Sequence, residues 1–339
     1  YERVSDMSMK EAALEVNYWC AEHVTYRSTD IRTASPLAVW NAGFGRCGEE
    51  STFTVTALRS IGIPARQIYA PRWSHCDDNH AWVEAWCDGK WHFMGACEPE
   101  PVLDLGWFIE PATRAMFIHN RTFSPIISSE KIISTQGKTY IINRTENYAP
   151  TRPFSVKVVD GQSKPVSGAH IRFEVLNMSE FYPVVSKVTD DKGEAEIILG
   201  LADIHLHVRK DGRFTECIVD TAQSDNVTVT LDHGDGFSLG VRDFTVKAAK
   251  ADKSYNVHLT EEQLEEKKRR IACADKLREE RVSSFYRSRE AEEIIARYPF
   301  KEELKGVFKK ARGNFDEIAK YLTAPVERDN PYLRVKLLT

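Results

Sequence analysis

Apolar side chains at Met9, Ala13, Val16, Cys20 and Val24 recur every three or four residues behind Ser8-x-x-Glu11. That spacing marks one face of a helix opened by a capping box, and it predicts an amphipathic helix over about residues 9 to 24. A second helix is predicted from Glu49 to Ile61, a run free of Pro and Gly that Gly62 stops in the manner of a C′ residue, so Cys47 falls at a helix start. From Ala65 the alternation becomes strand-like. His80–Trp86 and Trp91–Gly95 flank Cys87-Asp-Gly-Lys90 and read as an antiparallel hairpin about Asp88-Gly89, with Trp86 opposite Trp91, Trp82 opposite Gly95 and His80 opposite Cys97. After Pro150 and Pro153, short alternating runs at 154–158, 170–174, 195–199 and 227–231 between Asp/Gly/Lys turns have the signature of a β-sandwich. From Thr260, where Thr260-x-x-Gln263 opens a charged helical run to about Arg297, the chain favours helix. Phe300, Leu304, Val307, Phe308 and Ala311 form an apolar stripe that Phe315, Ile318 and Leu322 continue beyond Gly313.

Four segments follow: 1–149, mixing helix and strand; a sandwich at 150–235; an extended connection at 236–259; and a helical segment at 260–339. A length of 339 residues agrees, since one hydrophobic core rarely serves so long a chain. With 42% hydrophobic and 28% charged residues the composition is that of a globular protein. A net charge of −4 gives no reason to expect nucleic acid or an anionic membrane as partner. No apolar run approaches the roughly 20 residues of a membrane helix, and because the chain opens at Tyr1 any export signal would lie outside it. The seven cysteines show no metal-binding spacing, so neither metal nor cofactor is expected, and their odd number leaves at least one free thiol. Sequons begin at Asn120, Asn143, Asn177 and Asn226 and are read as chance.

The chemistry gathers around Gly43-Phe-Gly-Arg-Cys-Gly48 and His80. A thiol is a poor nucleophile until ionised, and the unpaired N–H groups and partial positive charge of a helix N-terminus favour the anion at Cys47. Gly45 and Gly48 would let backbone donors approach an oxyanion. His80, at a strand start, would be the base, held by an acceptor on its other ring nitrogen. The plainer reading of Cys47 is a small buried side chain and of His80 a satisfied polar one; the pairing of the two argues against both. Trp82, Trp86 and Trp91 fit a core better than a cleft, although Trp82 stands with Gly48 and Asp78 as a substrate-side or oxyanion candidate. His75, Asp77 and Asp78, with Arg72 and Trp73 before them, fit a solvated loop better than a binding or metal cluster. The charged helix after Thr260 fits a solvated face with i,i+4 pairs.

Gly45-Arg-Cys-Gly-Glu49, Gly62-Ile-Pro-Ala-Arg66, His80-Ala-Trp-Val-Glu84 and Gly89-Lys-Trp91, in that order, resemble the transglutaminase-like cysteine enzyme superfamily over roughly residues 8 to 115. The resemblance implies an α+β chain: a papain/transglutaminase-like domain, followed by a β-sandwich and a helical C-terminal segment. The sandwich is similar to small immunoglobulin-like or prealbumin-like modules, with Val166-Ser-Gly-Ala169 and Thr189-Asp-Asp-Lys-Gly193 where their turns commonly stand. The family's nucleophile maps onto Cys47 and its base onto His80, but its triad Asp maps onto Gly95. Glu98, in a Cys-Glu pair similar to that of peptide N-glycanases, is the nearest acidic candidate; a main-chain oxygen and Asp78 are the alternatives. The hairpin register aims Glu98 away from His80 unless Pro99 or a bulge re-aims it.

The implied activity is amide hydrolysis through an acyl-enzyme on Cys47, that of a cysteine peptidase acting on protein or peptide. Protein cross-linking and glycan-releasing amidase activity are the alternatives within the same chemistry. A catalytically dead scaffold that binds peptide or glycan is the alternative outside it. The resemblance suggests a bacterial protein, and the sandwich, read as a contact to glycan or cell envelope or as a spacer, favours an extracytoplasmic site over the cytoplasm.

Overall fold

The computed structural model describes residues 1–30, 32–123, 131–231, 241, 243–251, 257–325 and 330–339. In chain order its helices are α1 (Met9–Ala21), α2 (Pro36–Ala42), α3 (Cys47–Ser60), α4 (Ile109–Thr113), α5 (Glu261–Ser283), α6 (Ser288–Ile295), α7 (Lys301–Ala311), α8 (Phe315–Thr323) and α9 (Pro331–Lys336). The strands are β1 (Thr25–Tyr26), β2 (Phe44–Gly45), β3 (Ala65–Ala70), β4 (His80–Cys87), β5 (Lys90–Met94), β6 (His119–Thr122), β7 (Ile132–Gln136) and β8 (Thr139–Asn143). After these come β9 (Thr151–Val159), β10 (His170–Asn177), β11 (Glu180–Val188), β12 (Glu194–Gly200), β13 (Asp203–Lys210), β14 (Arg213–Asp220) and β15 (Asn226–Thr230). They gather into two units. The first takes Tyr1–Ala65, Ala85–Asp104 and Leu259–Thr339, and the second Arg66–Glu84 and Leu105–His258.

In the first unit α1 starts as its sequence dictates. The Ser8 hydroxyl accepts from the Glu11 N–H at 3.4 Å, and the Ser8 N–H donates to Glu11 Oε2 at 2.9 Å, so two orphan helix donors are satisfied. α3 ends before Gly62, whose φ of 89° suits glycine. Trp19, His23, Trp40 and Phe53 stack with centroids 4.4 to 6.3 Å apart, joining α1, α2 and α3. The hairpin turns at Asp88 and Gly89, both at positive φ, as its sequence demands, and the Trp86 and Trp91 rings meet edge to face at 5.3 Å. β5 stops at Met94, short of Gly95 and Cys97, so the register that set His80 opposite Cys97 extends past the strand.

α5 departs from the solvated helix expected of it. Arg270 pairs with Glu15 at 2.6 Å and lies over the Tyr18 ring at 3.5 Å, while Lys267 reaches Glu100 at 2.6 Å. Arg278 donates to the Ala21 carbonyl, and Arg281 donates to that of Trp40 at 2.7 Å while covering the Trp40 ring. Long basic side chains with apolar stems dock this helix on α1 and α2, which hydropathy periodicity does not register. α6 to α9 bury the predicted stripe, with Leu304, Phe308, Phe315 and Leu322 at its centre beside Ile294, Tyr298 and Val335.

In the second unit the strands run β4-β3-β6-β8-β7, and the sandwich packs β11-β10-β13-β14 on β12-β9-β15. Phe154, Val156, Val158, Ile171, Phe173, Val175, Leu199, Ile204, Leu206 and Val208 fill its core, which Met116 and Phe117 join. Pairing is antiparallel except where β15 joins β9, with Val227 opposite Val156. The expected strands are all present, at β9, β10, β12 and β15. Of the connection expected at 236–259, residues 236–240, 242 and 252–256 lie outside the described residues. Its described part has neither helix nor strand and is held by Lys247 N–H on Asp203 Oδ2 at 2.7 Å.

Candidate active site

Cys47 is the first residue of α3, a helix of 14 residues, and is half-buried. Arg46 before it is extended, and its N–H donates to Glu49 Oε2 at 2.7 Å. The Glu49 carboxylate also accepts from Ala34 N–H at 3.1 Å and Thr29 Oγ1 at 2.9 Å. Burial pushes the Glu49 carboxyl up, but these donors outweigh it and hold it below the usual carboxylate range. The side chain's packing also explains Gly45: a Cβ there would lie 2.7 Å from Glu49 Cβ, so this glycine makes room for the helix's own first turn.

One turn beyond Cys47 on the same face sits Glu50, which the sequence reading passed over. It is 2% exposed, and burial pushes its carboxyl up to about 10. Glu50 is therefore a neutral acid at physiological pH. Glu49, the other glutamate of α3, is equally buried but is held ionised by its donors, and neither burial nor donors can be read locally in so polar a helix.

The segment after β5 is fixed by Asn17 of α1, fully buried, whose amide donates to the Gly95 carbonyl at 2.8 Å and accepts from Cys97 N–H at 2.9 Å. Cys97 takes a φ of 57°, which breaks strand alternation before Glu98. Glu98, half-buried, then folds back over Gly95. A Cβ at 95 would meet Glu98 Cβ at 3.0 Å and Glu98 Oε2 at 3.1 Å, so the Glu98 side chain fills the space where a side chain at 95 would begin.

In the second unit, His80 opens β4 and is 5% exposed. Trp107 and Phe108 lie 4.7 and 5.0 Å from it, centroid to centroid, and Trp82 stacks at 5.9 Å. Burial pushes its imidazole down to about 4, so the ring is neutral at physiological pH, and its buried Nε2 has no hydrogen-bond partner among the described residues. Trp82 is wholly buried, with Phe108 at 4.9 Å and Tyr148 edge-on at 5.0 Å. That places its side chain in the core.

Asp78 and Asp77 are exposed, as a solvated loop requires, but the loop is anchored. Asp78 Oδ1 accepts from the N–H of Asn79 at 2.7 Å, Trp73 is buried, and Arg72 lies 4.3 Å above the Tyr182 ring of β11. Asn177, at the end of β10, donates through Nδ2 to the carbonyls of Trp73, Cys76 and Asp78 at 3.0, 2.8 and 3.2 Å, while Met178 N–H reaches Asp77 Oδ1 at 2.7 Å. The turn between β10 and β11 thus clamps the loop that delivers His80. The sequence signal at Asn177 was its sequon, read as chance; the side chain is fully buried. Below His80, Glu84 accepts from Arg66 Nε at 2.7 Å, Tyr148 hydroxyl at 2.6 Å and Arg144 at 3.4 Å, all buried. No group of three or more His, Cys, Asp or Glu among the described residues is placed to hold a metal ion.

Comparison with known proteins adds the family. No curated protein matches the chain. Among solved structures, a TGase crystal structure is 21% identical over 28% of each chain, with a TM-score of 0.24. A candidate cysteine protease from Cytophaga hutchinsonii is 18% identical over 39% of this chain and 52% of its own, also at 0.24. A Streptococcal ancillary pilin is 9% identical over 50% and 61%, at 0.20. The chain thus spans under a third of the first and about half of the second. The family model for the transglutaminase-like superfamily matches a segment that contains Cys47 and His80 and ends two residues before Glu98. Residues 2–96 thus match the transglutaminase-like superfamily, whose members are generally cysteine-dependent enzymes, some of them inactive.

Proposed function

We propose that the chain is a thiol-dependent amide hydrolase, a peptidase in which Cys47 attacks a peptide carbonyl and His80 takes and returns the proton. The observation that carries this reading is Cys47 at the first position of α3, inside the matched segment. A helix N-terminus favours the thiolate, and backbone N–H groups there would donate to the oxyanion of the tetrahedral intermediate. A neutral His80 suits the role of base, since only an unprotonated imidazole accepts a proton. Glu98 supplies the carboxylate that the family places at position 95, a role its packing over Gly95 supports. Collapse of the intermediate expels the amine, leaving a thioester on Cys47 that water resolves.

The sandwich would contribute by holding the His80 loop through Asn177. Extracytoplasmic residence and a glycan or envelope contact through the sandwich belong to the same proposal. The test is iodoacetamide alkylation of Cys47 titrated against pH in wild type and His80→Ala. The expected result is a thiol that ionises well below the free-cysteine value of about 8.5 and shifts upward in the variant. An ordinary profile, unchanged by the substitution, overturns the catalytic reading in favour of a binding scaffold. Incubation with casein and a labelled amine then separates hydrolysis, which releases fragments, from cross-linking, which incorporates the amine.

A further inference from the structure

Two cysteines that this chemistry does not use face each other in the first unit. Cys20 lies one turn after Asn17 on the same face of α1 and is fully buried; Cys97, in the segment that Asn17 clamps, is 9% exposed. The Cys20 thiol is a side-chain neighbour of Cys97 and raises its thiol further, and the Cys97 sulfur lies 3.7 Å from Thr54 Oγ1 of α3. Asn17, on α1 with Cys20, holds the Cys97 segment against that helix through the Gly95 carbonyl and the Cys97 N–H. The sulfurs must reach about 2.05 Å to bond, which side-chain rotation can bring about when Asn17 holds the Cys97 segment against α1.

We infer that Cys20 and Cys97 form a disulfide when the chain meets an oxidising thiol–disulfide pool. In the step, a Cys20 or Cys97 thiolate attacks a low-molecular-weight disulfide and releases one thiol. The partner thiolate then displaces the second thiol from the mixed disulfide. The protein pair loses two protons and two electrons, and one acceptor disulfide becomes two thiols. Burial pushes the Cys97 thiol up, so exchange is fastest as the chain folds, before that sulfur is enclosed. The bond ties the segment carrying Gly95 and Glu98 to α1, and it closes a loop of 97 − 20 = 77 residues. A cross-link over so long a loop restricts the unfolded chain strongly.

This inference stands apart from the catalytic reading, because its readout is thiol connectivity and not activity. The full chain is unfolded in urea and refolded in glutathione buffers of graded oxidised-to-reduced ratio. Remaining thiols are alkylated under denaturing conditions and the protein is digested without reductant for mass spectrometry. The expected product is one dominant linked peptide joining Cys20 to Cys97, 2 Da below the sum of its reduced parts. It should leave 7 − 2 = 5 alkylated cysteines and become fully reduced at low ratio. Full alkylation of Cys20 and Cys97 at every ratio overturns the inference, as does dominant pairing of either with another cysteine.

Discussion

Glu50 offers the sharpest test of the electrostatics around Cys47. Its carboxyl is raised from 4.5 to about 10 in the folded chain, chiefly by burial. In the unfolded chain it ionises freely near 4.5, so the sign follows from proton counting. Below pH 4.5 both states hold the proton and folding is indifferent to it. Above 4.5 the unfolded state releases the proton while the folded state keeps it, so stability falls by about 1.4 kcal/mol per pH unit until the folded group also ionises. At pH 7 the loss is 2.5 units, or about 3 kcal/mol.

Glutamine has the size of the neutral acid and no proton to lose. Glu50→Gln is therefore expected to match wild type near pH 4.5, to exceed it by about 3 kcal/mol at pH 7, and to widen the gap toward pH 9. The assay is urea unfolding of both proteins from pH 5 to 9, followed by tryptophan fluorescence, since Trp19 and Trp40 stack beside α3. The slope is the decisive quantity. A difference independent of pH, or a variant less stable at every pH, would refute a buried neutral Glu50 and mean that the carboxylate is ionised and held by donors.

Glu84→Gln removes the negative charge that two buried guanidinium groups share and is expected to cost about 3 to 5 kcal/mol in urea unfolding. The exposed Lys157–Glu194 pair is the control, and Glu194→Gln should cost under about 1 kcal/mol; equal losses would mean that burial does not govern the Glu84 pair. Asn177→Ala takes three hydrogen bonds from the loop before His80, so amide exchange should quicken across residues 73–79, and unchanged protection there would show that the turn does not hold the loop. Burial lowers His80 and His119 from 6.5 to about 4, so the unfolded chain binds their protons first: stability is intact above pH 6.5 and lost as pH falls toward 4. Each shift of 2.5 units is worth about 3 kcal/mol at full effect, and His119→Gln should roughly halve the acid slope in a Glu50→Gln background; an unaltered slope would place the acid sensitivity elsewhere.

How much of this was legible in the sequence depended on whether the cause of each feature was local. Caps and turns are local: Ser8 with Glu11, Gly62 after α3, and Asp88-Gly89 in the hairpin stand where their residue types placed them. The same locality set Cys47 at the start of α3. What failed was extrapolation beyond an element's end. Pairing His80 with Cys97 assumed that alternation continued past Met94, whereas a positive φ at Cys97 resets the direction of every later side chain.

Features set by distant partners were harder to see. β13 was not singled out, because His205 and His207 interrupt its hydropathy pattern; His205 is buried against Glu174 of β10 at 2.8 Å, its polarity satisfied across strands. α5 looked solvated because arginine docking leaves no apolar stripe. Asn177, Asn17 and Glu50 are polar residues whose importance arises from burial by segments far away in the chain. Asn17 bonds residues 78 and 80 positions on, and Asn177 bonds residues 99 to 104 positions back. A motif can point to Cys47 and His80 because the residue types of a proposed nucleophile and base are constrained by chemistry. The residues that hold them are constrained only by where the chain returns, and that information becomes visible when the fold is formed.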